Sequence, residues 1–188
     1  ERDHTFKSVW VQCEGVDDSM KQMTVKQMVY LALMTALVAV ATMVISIPVA
    51  ATGGYVNFGD TLIFVSALIF GPLTGMLAGG LGSAMADVLG AYGVWAPFTL
   101  VVKGLEGLIC GYVFLKLSEA GWSREKAVLA SMVLAAGWMV IGYLISGTII
   151  VGSLSVAAVE VPANVVQGGV SVAVAAILVR PLQKIIRK

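Results

Sequence analysis

The chain has 188 residues, 59% of them hydrophobic and 12% charged, with a formal net charge of +1. A water-soluble domain carries about 25% charged residues, so half that share excludes an ordinary soluble domain and points to lipid. The near-zero net charge gives no footing for a nucleic-acid partner. Of the two cysteines, Cys13 lies in a polar stretch and Cys110 in an apolar one. That separation argues against a disulfide framework or a Cys-based metal site.

In chain order, residues 1–19, ERDHTFKSVWVQCEGVDDS, come first. They lack the basic start and apolar core of a signal peptide. They read as a tag or an upstream extension apart from one domain over 20–188, with Met20 or Met23 as a natural start. The only histidine, His4, falls in this leader. A helix needs about 20 apolar residues to cross the hydrocarbon. On that measure the spacing predicts spans over 25–48, 59–71, 72–91, 96–117, 126–150 and 161–179. The second is short, and Gly71-Pro72 separates it from the third, because proline readily opens a helix. The expected fold is an all-α membrane protein, a bundle of six transmembrane helices.

Orientation follows from Lys and Arg. Lys21 and Lys26 precede the first span, Lys116, Arg124 and Lys126 flank the fourth-to-fifth connection, and Arg180, Lys184, Arg187 and Lys188 form the tail. The loops on the other side contain neither Lys nor Arg, with Asp60, Asp87 and Glu160 near their edges. The positive-inside rule then puts both termini in the cytoplasm.

Lys103 and Glu106 interrupt the apolar run TLVVKGLEGLICGYV. A charge inside the bilayer costs roughly 2.5–3.5 kcal/mol on insertion scales, so it asks for a function or a partner. Spaced i, i+3, the two share a face, about 10 and 15 Å below the outer end of their helix at 1.5 Å per residue. Asn164 and Gln167 repeat that spacing at similar depth on the sixth span. Trp138 and Tyr143 belong to the fifth, and Asn57, Tyr55, Tyr92 and Trp95 to the outer loops. The polar and aromatic groups therefore gather in the outer half, the pattern of an outward-facing pocket with apolar walls. Bland alternatives stand beside each: a neutralised structural pair for Lys103–Glu106, helix-to-helix bonding for Asn164 and Gln167, core packing for Trp138, an interfacial aromatic belt for Tyr92, Tyr143 and above all Trp95, and a water-exposed helix end for Asp87. Small residues recur at Gly71, Gly75, Gly79 and Ser83, at Gly107 and Gly111, and at Ala32 and Ala36, spacings that let helices approach closely.

The run GGYVNFGDTLIFVSALIFGPLTGMLAGGLGSAMADVLG, with KGLEG and PANVVQGG after it, resembles the S components of energy-coupling factor (ECF) transporters, the membrane-embedded substrate-binding subunits of ABC-type vitamin importers. The resemblance covers about residues 23–188. It implies six helices with both ends inside, a substrate site in the outer half gated by the loops after the first, third and fifth helices, and residence in a bacterial plasma membrane. It implies as partners a transmembrane coupling subunit and two cytoplasmic ATPases, with Ala32 and Ala36 fitting the AxxxA motif that contacts the coupling subunit. The substrate-binding set it suggests is Lys103, Glu106, Asn164, Gln167, Trp138, Tyr143, Asn57 and Tyr92. The nearest branch takes small rings of the hydroxymethylpyrimidine or pyridoxine type, with riboflavin as the alternative. No cofactor, metal ligand or catalytic residue is expected: GxxxxGK[ST] and HExxH are absent. Two other functions compete. A stand-alone secondary transporter would carry inverted repeats with broken helices, and none is evident. An intramembrane enzyme would need a nucleophile–base pair that Lys103, Glu106 and Asp87 lack.

Overall fold

The structure, a computed structural model, describes residues 24–186. The leader over 1–19, His4, Cys13, Met20, Lys21, Met23, Arg187 and Lys188 lie outside the described residues. Six helices of twelve residues or more form the bundle: α1 (Val25–Val44), α2 (Gly59–Phe70), α3 (Pro72–Leu89), α4 (Ala96–Glu119), α5 (Arg124–Val151) and α6 (Val161–Ile186). Among the described residues, four stretches are long and apolar enough to cross a membrane: α1, α4, α5 and Leu154–Leu182, which contains most of α6.

The boundaries have local causes. Thr24 opens α1 through a capping box, accepting from Gln27 N–H at 3.3 Å while its own N–H donates to Gln27 Oε1 at 2.9 Å. α1 stops at Val44, short of the expected residue 48, because Pro48 has no N–H for a helix and disfavours helical geometry before it. The chain turns back instead as a two-stranded antiparallel hairpin, β1 (Ser46–Val49) and β2 (Gly54–Asn57), with Ser46 opposite Asn57 and Val49 opposite Gly54. Gly53 supplies the left-handed residue of its turn, at φ 66°. This hairpin corrects the all-α expectation. Its sequence, SIPVAATGGYVN, hides among apolar residues and reads as a loop. Gly71 at φ 97° and Pro72 separate α2 from α3 at the expected place. A helical turn, Leu154–Ala157, and a 3-10 turn, Ala158–Glu160, join α5 to α6.

α2 is the interior of the bundle. Ten of its twelve residues are buried, against four of twenty in α1. A helix apolar on every side belongs inside a protein, and an enclosed helix need not match the bilayer's thickness. Its shortness therefore reflects its position. The small-residue seams hold the neighbours close. A Cβ on Gly75 would lie 2.6 Å from the Ala67 Cβ of α2 and 3.0 Å from the Gly107 carbonyl of α4. One on Gly79 would lie 2.8 Å from the Lys103 carbonyl. α3 thus brings the Lys103 turn of α4 against α2. The hairpin and the turn before α6 share one end of the bundle. The helix ends carrying Lys26, Lys116, Arg124, Lys126 and Arg180 lie at the other.

Candidate functional site

Asp60 sits in the first turn of α2, fully buried. Lys103 of α4, also fully buried, donates from Nζ to its Oδ1, and Gln167 of α6 donates from Nε2 to its Oδ2 at 2.7 Å. Gln167 Oε1 in turn accepts the Asn57 N–H of the hairpin at 2.7 Å. Asn57 Oδ1 accepts the Gly59 N–H at 2.9 Å, fixing the entry into α2. Glu106, one turn below Lys103, faces the ammonium at 3.2 Å from Oε2, yet neither of its oxygens accepts a hydrogen bond. Three helices and the hairpin thus close a buried network around one ammonium. Such a group is kept ionised only by this pairing, since isolated charges in a low-dielectric interior cost several kcal/mol each.

A cavity of about 290 Å³, counting its open mouth, lies toward the hairpin from this network. Tyr55 and Asn57 of the hairpin wall it together with Asp87 of α3, Trp95 and Thr99 at the start of α4, and Tyr143 of α5. Glu160 and Asn164 complete it from the α6 side. The Tyr143 ring lines the cavity and also neighbours the network: Lys103 Nζ lies 5.3 Å from its centroid, and its hydroxyl donates to Thr99 Oγ1 at 3.3 Å. Tyr55 donates to Asp87 Oδ1 at 2.5 Å, and Tyr92 lies against the Tyr55 ring with centroids 4.4 Å apart. Burial, and then the Asp87 carboxylate beside it, holds the Tyr55 phenol well above its ordinary pKa, so it remains a donor. At the hairpin tip Thr52 donates to Glu160 Oε1. Gly54 is pinned there too, since a Cβ on it would stand 2.7 Å from Glu160 Oε1 and 3.1 Å from the Trp95 ring.

The structure brings together Lys103, Glu106, Gln167 and Asn57 in the network, and Asn164, Tyr143 and Asn57 around the cavity, with Tyr92 at its rim. Trp138 stands apart. It is half-buried and donates from Nε1 to the Val102 carbonyl at 3.1 Å, a packing role on the back of α4. Ala32 and Ala36 are both exposed on α1. Two expectations change. Trp95 is 6% exposed and walls the cavity, so it is no belt residue. Asp87 is 2% exposed and hydrogen-bonded, so it is no water-facing helix end. Asp60, Thr99 and Glu160 join the site without having been candidates in the sequence, and Tyr55, named there only among the outer-loop groups, joins with them. The available signal was an acid at the edge of each loop on a side with no Lys or Arg to balance it.

A family described as "ECF-type riboflavin transporter, S component" matches residues 22–184. The chain belongs to this family. A Pyrococcus woesei protein, described as an uncharacterized protein in the gap 3′ region, is 48% identical over 101 residues, covering 54% of this chain and 68% of its own length. A UPF0397 protein of Streptococcus pneumoniae (strain Hungary19A-6) is 34% identical over 88 residues, 47% of either chain, so the match spans about half the length of that relative. A solved structure described as "Structure and mechanism of the S component of a bacterial ECF transporter" superposes with a TM-score of 0.66 at 18% identity, over 87% of this chain and 98% of that one. At that identity the likeness establishes a shared fold. S components are the substrate-binding membrane subunits of ECF transporters and are not enzymes. They work with a T component and with ATPases, which hold the ATP-hydrolysing activity.

Proposed function

We propose that this S component captures a small heteroaromatic vitamin or precursor, of the hydroxymethylpyrimidine or pyridoxine type, in the cavity beneath the hairpin. It delivers that solute across the cell membrane with one transmembrane coupling subunit and two ATPases. All six helices cross the bilayer in this reading, with both termini cytoplasmic. The Lys and Arg clustering at the end opposite the hairpin supports that orientation. The observation that carries the substrate class is the cavity itself. The cleft is narrow, and its walls combine the rings of Tyr55, Trp95 and Tyr143 with amide and carboxylate groups. A single substituted ring fits those terms better than a tricyclic flavin bearing a polyol tail. Riboflavin is the second reading, favoured by the description of the matching family.

Titrating the purified chain with hydroxymethylpyrimidine, pyridoxine and riboflavin separates the two, with mass spectrometry of co-purifying small molecules alongside. Tight binding of riboflavin alone reverses the preference. The exposed Ala32 and Ala36 on α1 suit close approach by a helix of the coupling subunit. Replacing both by Trp is expected to leave solute binding by the isolated chain intact and to abolish uptake by the assembled transporter. Uptake by the chain alone, without coupling subunit and ATPases, defeats the whole scheme in favour of a secondary transporter.

A further inference from the structure

The cavity and the network beneath it are rich in acids and poor in bases. Four carboxylates, Asp60, Asp87, Glu106 and Glu160, surround or underlie the space, and one cation, Lys103, stands among them. That ammonium is paired with Asp60 and Glu106 and does not line the cavity. The loops at this end carry no Lys or Arg that could swing in. No group of three or more His, Cys, Asp or Glu among the described residues is arranged to hold a metal ion.

Asp87 shows where the imbalance is felt. Its Oδ1 accepts from Tyr55, and its Oδ2 is buried with no donor in full hydrogen-bond geometry, the Thr99 hydroxyl beside the carboxylate being the protein group near enough to approach it. Asp87 is 2% exposed and walls the cavity. A buried acceptor left without a donor forfeits its hydration and gains nothing in return. A ligand N–H would complete it, and a charged N–H most of all, because charge-assisted hydrogen bonds are the stronger kind. The remaining walls are suited to the same guest, since the faces of Tyr55, Trp95 and Tyr143 attract cations.

We infer that Asp87 is the specificity-determining anchor of the cavity, its Oδ2 accepting from a protonated nitrogen of the ligand, so that the site selects cationic heteroaromatic amines and rejects anionic ones. This rests on the proposed capture of a ring compound beneath the hairpin and narrows its chemistry. Phosphorylated or carboxylated relatives of the same ring face Asp87 and Glu160 with no cation to receive them.

The test uses three pyridines that differ at one arm: pyridoxamine, whose arm ends in an ammonium, pyridoxine, in a hydroxyl, and 4-pyridoxic acid, in a carboxylate. Affinities are measured on the purified full chain by calorimetry, with riboflavin as a fourth probe. Pyridoxamine is expected to bind about tenfold or more tighter than pyridoxine, and 4-pyridoxic acid about tenfold or more weaker. In Asp87→Asn the spread should collapse to within about threefold, while Tyr55→Phe, which keeps the carboxylate, should preserve the order. The ranking on the unmodified chain stands even where Asp87→Asn does not fold. Equal affinities, a preference for the acid, or an unchanged spread in Asp87→Asn overturns the assignment. Binding of riboflavin with silence from all three pyridines overturns it too, but leaves solute capture standing. Silence from all four probes defeats capture and this inference together.

Discussion

α2, α4 and α6 each carry two chemistries along their length. Toward the hairpin they contribute Asp60, Lys103 with Glu106, and Asn164 with Gln167, all buried. Toward the basic end the same helices contribute Leu68, Phe114 and Val179 to a continuous apolar core. Lipid tails are as apolar as leucine, so helices in a membrane gain little from hydrophobicity and hold together by packing, hydrogen bonds and ion pairs. The apolar half uses the first of these devices, with Gly75, Gly107 and Pro72 letting α3 and α4 touch backbone to backbone. The half near the hairpin uses the other two, at a desolvation cost that a stable bundle does not require. One half maintains the shape by packing, and the other holds costly buried groups that the proposed solute capture would use.

The comparison can be broken from either side. Phe114→Ala empties part of the apolar half and should cost about 3–5 kcal/mol of stability. The fraction that remains folded should bind solute as before. Unfolding in detergent, read beside the affinity of the surviving material, checks both statements. Asp60→Ala attacks the other half by leaving Lys103 with only Glu106. Removing one partner of a buried pair costs about 3 kcal/mol or more, and here solute binding should vanish with it. A folded Asp60→Ala chain of normal affinity would show that the network is only structural. Gln167→Ala sharpens the division further, because it cuts the hairpin from Asp60 while keeping every charge. A stability loss of about 1–2 kcal/mol should accompany faster amide exchange at Asn57 and a clear fall in affinity.

How much of this could be read from residues alone depended on contrast. Lys103, Glu106, Asn164 and Gln167 interrupt apolar runs and were legible at once. Asp60 and Asp87 lie near helix ends, where an acid ordinarily completes a helix dipole or meets water, so nothing marked them as buried. Trp95, just before α4, matched the pattern of an interfacial aromatic, and only the packing of Gly54 against its ring reveals its place. The break at Gly71-Pro72 was legible because both residues act locally. The hairpin was not, because its pairing depends on residues five to eleven positions apart, in a stretch apolar enough to pass for helix and loop. Trp138 fails in the opposite sense. Its depth suggested a ring for a ligand to stack on, but its angular position on α5 turns it toward the Val102 carbonyl.

The hairpin is bolted to three different neighbours: to α3 through Tyr55 and Asp87, to α6 through Asn57 and Gln167, and to the turn before α6 through Thr52 and Glu160. The second bolt is also a support of Asp60, since one amide group serves both. Swinging this flap aside frees Gln167 Oε1 and loosens the hold on the carboxylate that grips Lys103. In the proposed scheme, entry at the hairpin and the arrangement of charge around Lys103 are therefore mechanically one event, and an empty and a filled chain would differ deep inside as well as at the door.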